Sequence, residues 1–191
     1  AFWALFQQMF TFVAVYADER LDRSLGGWEF PASWIQSVDP VYILIFAPVF
    51  AALWTKLGPR QPSTPIKFAI GTMGIGVAFL AFLLMPAGVN TAPLIGLLGI
   101  MLIFALAELC ISPVGLSVST KLAPRAFAAQ MVALNFLSIS LGTALAGRLA
   151  TFYDQNDEAP YFLVLGGTAI AIGLVVVALT PMIKRLAPAV A

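Results

Sequence analysis

Histidine is absent from the 191 residues, cysteine occurs once, and charged side chains make up only 10% of the chain. Without histidine there can be no His-containing metal site, no Ser-His-Asp triad and no Cys-His pair. The single Cys110 forbids an internal disulfide, and its place two residues after an acid in an apolar run suits a small apolar filler, so it is assigned no chemistry. No phosphate-cradling loop occurs either: Gly71, Gly74 and Gly76 lie in an apolar run where glycine serves helix packing. An ATPase or hydrolase would have no residues to work with, so no enzyme is expected, and neither a metal nor an organic cofactor.

What the chain has instead is apolar length. It is 61% hydrophobic with a mean hydropathy of +0.96, against about 25% charged residues in an ordinary soluble domain. A bilayer-crossing helix needs ~20 apolar residues, and Pro, Gly and charge clusters divide the sequence into six candidate spans: 1–17, 34–57, 66–85, 92–120, 127–152 and 161–183. Continuous runs such as 166–179 do not fit the alternating ~10-residue strands of a membrane β-barrel. The expected fold is therefore all-α and membrane-embedded, one six-helix unit over 1–191 with no soluble domain and the lipid bilayer as its surroundings. Apolar helix-like sequence already at Phe2 and Trp3, with no initiator Met or basic flank, leads to the expectation of a fragment that begins inside a helix.

Net charge is +1, which carries no nucleic-acid signature, but its distribution is ordered. Lys56, Arg60 and Lys67 flank the second connection, Lys121 and Arg125 the fourth, and Lys184 and Arg185 follow the last span, all without an acid. Asp18, Glu19, Asp22, Glu29, Asp154, Asp157 and Glu158 gather in the first and fifth connections. By the positive-inside rule the basic connections are cytoplasmic, so both ends of the chain are expected in the cytoplasm. The connections are an acidic loop 18–33 with Gly26 and Gly27, a triple-proline hairpin 58–65, a turn 86–93, a turn 123–126 and a polar loop 154–160. Three prolines should make 58–65 rigid, as suits a bundle that rocks as one body, though a plain topogenic loop reads the same way.

Glu108 is the lone carboxylate in the apolar run 92–116. An acid at that depth costs roughly 2.5–3.5 kcal/mol on insertion scales, so it is expected either to bind a cation or a proton or to be protonated and hydrogen-bonded for packing. Ser112 follows at i+4 on the same helical face. Pro113 frees a backbone carbonyl about one turn after the acid and is a candidate hinge. Trp3 and Gln7 share the same spacing on the first span, presenting an aromatic plate and an amide to one cavity, unless the indole is an interfacial anchor. Asp39-Pro40 reads either as a helix cap with Pro at the first helical position or as a second carboxylate at the mouth of the cavity. Asn135 is a buried amide that needs partners, from a neighbouring helix or from a ligand.

These residues resemble the proton-dependent oligopeptide transporters, a branch of the major facilitator superfamily. The resemblance rests on the stretches Phe2-Trp3-Ala4-Leu5-Phe6 and Gln36-Ser37-Val38-Asp39-Pro40, on the loop from Gly58 to Lys67, and above all on Ala107-Glu108-Leu109-Cys110-Ile111-Ser112-Pro113-Val114-Gly115-Leu116 running into Thr120-Lys121-Leu122-Ala123-Pro124. It implies that the chain is the C-terminal six-helix half of a plasma-membrane symporter for di- and tripeptides. Transport would be driven by protons and proceed by alternating access, with the N-terminal half as partner. Glu108 matches the family's tenth-helix glutamate, which is thought to meet the peptide amino terminus. Three positions depart: Gln7 stands where many members have a glutamate linked to proton coupling, Asp39 where Asn-Pro is common, and Asn135 where Trp is usual. Gln7 cannot titrate, which leaves Glu108 and Asp39 as candidates for proton coupling, with Trp3, Gln7, Ser112 and Asn135 as further substrate contacts. A facilitator for drugs or another organic solute, or a non-transporting peptide sensor or scaffold, would share the fold.

Overall fold

The computed structural model describes residues 1–25, 28–86, 88–121, 124 and 127–186. Seven α-helices account for most of it: α1 (Phe2–Phe6), α2 (Phe12–Glu19), α3 (Ile35–Leu57), α4 (Thr64–Phe82), α5 (Leu94–Lys121), α6 (Ala128–Ala150) and α7 (Ala159–Leu186). Among the described residues, α3 to α7 are each long and apolar enough to cross a bilayer. The first span is broken: a 3-10 turn over Gln7–Phe10 separates α1 from α2. Gly26, Gly27, Arg125 and, apart from Pro124, the turn 123–126 lie outside the described residues.

α4 and α5 form the centre. In their most apolar stretches 56% and 50% of residues are buried, against 0% for α3 and 6% for α6, whose sides face outward. α7 lies along α4 and α3 along α5, while α1 rests on α6. The α4–α7 contact is set by three glycines, Gly76, Gly166 and Gly173. A methyl group on Gly76 would stand 2.8 Å from the Gly166 carbonyl oxygen, and one on Gly166 would stand 3.0 Å from the Gly76 carbonyl oxygen. Lipid tails are as apolar as leucine, so such close backbone approach, rather than hydrophobic exclusion, holds the pair together.

Toward the acidic loops the core is aromatic. The Phe12 ring lies 5.2 Å from Phe82, 5.5 Å from Phe162 and 5.8 Å from Tyr161 between ring centroids, and Phe82 stacks on Phe162 at 4.8 Å. Two short strand pairs close this end: β1 (Leu21–Asp22) runs parallel to β4 (Ala92–Pro93), and β2 (Ser24–Leu25) pairs antiparallel with β3 (Trp28–Glu29). Arg20 joins α2 to the loop before α7 through an ion pair with Glu158 at 3.0 Å and a hydrogen bond to the Gln155 carbonyl. Tyr153 donates to the same Glu158 oxygen at 2.7 Å, and the Gln155 amide donates to Glu19 at 2.9 Å.

At the basic end, Gly58 adopts the left-handed φ of 46° that stops α3, and a single 3-10 turn over Gly58–Arg60 leads to α4. Lys67, only 8% exposed, donates to Gln61 at 2.6 Å and lies 4.4 Å from the centre of the Trp54 ring. A buried ammonium needs such company.

Candidate functional site

Glu108 sits midway along α5 and is half-buried. It faces a cavity of about 390 Å³ between α3 and α5, together with Leu109, Ser112, Pro113, Phe50 and Trp54. The i, i+4 spacing of Glu108 and Ser112 thus places both side chains on one hollow, as helical geometry requires. Proline has no N–H, so Pro113 leaves the Leu109 carbonyl without its helical donor beside that hollow. A volume of this order falls in the range that small-molecule sites occupy.

Asp39 is not a helix cap. α3 starts at Ile35 with Trp34 in the cap position, and Pro40 lies inside the helix. The cap reading fails because a 3-10 turn over Ala32–Trp34 runs straight into α3, so the helix is already under way at Asp39. Asp39 is 4% exposed, and its Oδ1 has no hydrogen-bond partner among the described residues. It stands one turn before Ile43, which lines the cavity. Tyr42 braces the two helices nearby, donating to the Leu98 carbonyl at 3.2 Å.

The remaining candidates do not line this hollow. Trp3 and Gln7 are half-buried on the first span, where the Gln7 N–H still donates to the Trp3 carbonyl across the end of α1. Asn135 is half-buried on α6 and lies beside Gly115 of α5, its Oδ1 3.5 Å from where a methyl group on that glycine would be. Sequence reasoning missed Trp54 and Phe50, whose spacing in a uniformly apolar span gives no sign of a lining role. It also missed Gln8, where the adjacent Gln-Gln pair could have raised the question of which amide turns inward. A larger hollow of about 700 Å³ lies among the acidic loops. It is lined by Asp18, Arg23 and Glu29 among others, with Arg23 bridging the two acids at 3.3 and 2.9 Å. It belongs to the loops rather than to the spans. Among the described residues no group of three or more His, Cys, Asp or Glu side chains is placed to hold a metal ion.

The sequence model of the POT family matches residues 1–170. The chain belongs to the POT family. Similar proteins include the uncharacterized transporter YclF of Bacillus subtilis, 46% identical over 187 residues that make up 96% of this chain and 38% of YclF. The di-/tripeptide transporter of Lactococcus lactis subsp. cremoris is 36% identical over 192 residues, 97% of this chain and 39% of that protein. Among solved structures, a peptide transporter POT in complex with sulfate matches with a TM-score of 0.90 and 44% identity, over 97% of this chain and 38% of the other. A POT family transporter in complex with 5-aminolevulinic acid matches with a TM-score of 0.85 and 34% identity, over 95% and 39%. This POT-family chain therefore spans about two fifths of the length of the relatives it matches. Its all-α membrane bundle is the fold of that part of a major facilitator transporter.

Proposed function

We propose that the chain is the C-terminal half of a proton-coupled symporter that takes up di- and tripeptides by alternating access, working with an N-terminal six-helix half. The observation that carries this reading is the cavity where Glu108 and Ser112 meet, with the buried Asp39 carboxylate one turn from its lining residue Ile43. In a low-dielectric hollow a carboxylate holds an ammonium group well, because little water competes for either charge. Glu108 accordingly receives the peptide amine, and Ser112 hydrogen-bonds beside it. Trp3, Gln7 and Asn135, outside that hollow, add peptide contacts together with residues of the other half. That a relative 36% identical over 97% of this chain is a di-/tripeptide transporter supports the substrate class.

Proton coupling falls to the acids in the long spans, which are Asp39 and Glu108 alone. The more deeply enclosed Asp39 suits the proton, and Glu108, open to the cavity, suits the amine; two carboxylates in different surroundings divide the roles of acid and anion. The transporter sits in the plasma membrane with its basic connections and both ends of this chain in the cytoplasm.

The test is uptake of a labelled dipeptide into liposomes by the full-length protein, with and without an inward proton gradient. Glu108→Gln keeps shape and removes charge. Losing a charge-assisted hydrogen bond of about 1.5–3 kcal/mol should raise KM roughly ten- to a hundredfold. Asp39→Asn should leave binding measurable and abolish the response to the gradient. Normal gradient-driven uptake by both variants would sink the assignment. The complex with 5-aminolevulinic acid favours a second reading, a small non-peptide amine as substrate. Competition by that compound where dipeptides fail to compete would select it.

A further inference from the structure

We propose that Gln8 is a positioning residue that seats the first span on α6 and thereby fixes where Trp3 and Gln7 face. Its side chain is completely enclosed, at 0% exposure, within an apolar bundle. A buried amide has two protons and one oxygen to satisfy, and here all are used. Nε2 donates to the Ala4 carbonyl one turn back at 3.1 Å and to the Ala146 carbonyl of α6 at 3.0 Å. Oε1 accepts from the Tyr161 hydroxyl of α7 at 2.7 Å and from the Thr11 hydroxyl at 3.1 Å. The two carbonyls can only accept, so the amide has a single orientation, and a fully satisfied network of this kind is rigid.

The position of these bonds matters as much as their number. Gln8 lies inside the 3-10 turn that breaks the first span, and the single Thr11 hydroxyl proton is shared between Oε1 and the Gln8 carbonyl, the latter at 2.9 Å. One turn before Ala146 on α6 is Gly142. A methyl group on it would stand 2.4 Å from the Trp3 Cβ and 2.9 Å from the Ala4 backbone nitrogen. Two successive turns of α6 therefore hold the stretch from Trp3 to Gln8: Gly142 by lacking a side chain, and Ala146 by accepting the Gln8 amide. Without the amide, the contact at Gly142 and the Thr11 bonds to the Gln8 carbonyl remain, but the side-chain tie from the break to α6 and α7 is gone. Gln7, the direct neighbour of Gln8, and Trp3 both depend on this seat for their direction.

The effect on substrate rests on the transport reading above; the seat itself does not. Tyr161→Phe removes one bond and little else, and Gln8→Leu removes all four at similar volume. Each is made in the full-length protein, assayed for dipeptide uptake in liposomes and examined by amide-exchange mass spectrometry. Faster exchange over residues 3–11 is expected in both, together with a KM raised about three- to tenfold and a Vmax per inserted transporter within about twofold of wild type. An unchanged KM with the loss confined to Vmax or yield overturns the proposal, as does unchanged exchange. Should Gln8→Leu not fold, Tyr161→Phe carries the test. If the unmodified protein moves no peptide, the transport reading falls, and exchange over 3–11 alone decides the seat: faster sustains it, unchanged overturns it.

Discussion

Replacing Gly76 by alanine tests whether backbone approach between α4 and α7 holds this half together. The added methyl would stand 2.8 Å from the Gly166 carbonyl oxygen, 2.7 Å from Ile170 Cγ1 and 3.1 Å from the Ile170 nitrogen. Two of these are backbone atoms of a packed helix and cannot turn aside, so the helices must separate by roughly half an ångström or more to restore ordinary contact. A gap of that size forfeits a quarter to a half of each pairwise attraction of ~0.1–0.2 kcal/mol. Over the roughly 40 atom pairs that one buried leucine makes, that is about 1–4 kcal/mol, in line with the usual 1–3 kcal/mol for overpacking. Gly167, the next residue on α7, has nothing within 4 Å of its added methyl, so Gly167→Ala should be neutral or gain up to about 1 kcal/mol from helix propensity. The assay is the thermal midpoint of the full-length protein in detergent, read by size-exclusion after heating. Gly76→Ala should lose several degrees where Gly167→Ala loses none. Equal midpoints, or equal losses, would refute the reasoning.

Arg20→Ala should lower the same midpoint, because Arg20 and Glu158 are only 16% and 15% exposed and an abandoned partner in partial burial costs about 1–3 kcal/mol. A double-mutant cycle with Glu158→Gln should show coupling, and simple additivity would contradict the clamp. Burial and the bond to Glu158 hold Tyr153 above its ordinary value of 10.0. A raised value in the folded state makes its contribution complete below pH 10 and lost as pH rises further. The unmodified protein should therefore lose stability above pH 10 more steeply than Tyr153→Phe does, which a melting series across that range would show. Cys110 is 7% exposed and should react with a maleimide far more slowly in the folded protein than after denaturation, as read by mass spectrometry of its peptide.

The sequence carried the architecture because bilayer physics leaves few options: a long apolar run must satisfy its own backbone and becomes a helix. What it could not carry was the break in the first span. Apolar periodicity runs unbroken through 1–17, and the interruption at Gln7–Phe10 is stabilised by Ala146 and Tyr161, more than a hundred residues away. Of the two readings of Asp39-Pro40, the helix cap failed for a related reason. Pro40 is the sixth residue of α3, past the turn whose N–H groups lack helical partners, so it interrupts the ladder at the Gln36 carbonyl instead of marking where the helix begins. Glu108 and Ser112 were legible because a fixed helical spacing decides whether they share a face. Trp54 was not, since its two neighbours in space, the cavity and Lys67, come from separate helices.

The buried amide of Gln8 also bears on how the protein is made. Helices enter the membrane in chain order, and the first of these carries an amide whose partners, Ala146 and Tyr161, belong to the last two. Until α6 and α7 arrive, that amide has only its own segment to bond, so within this chain the earliest span is completed last. The half closes as a ring rather than growing as a stack, and a ribosome halted before residue 146 would leave its opening helix unfinished in the bilayer.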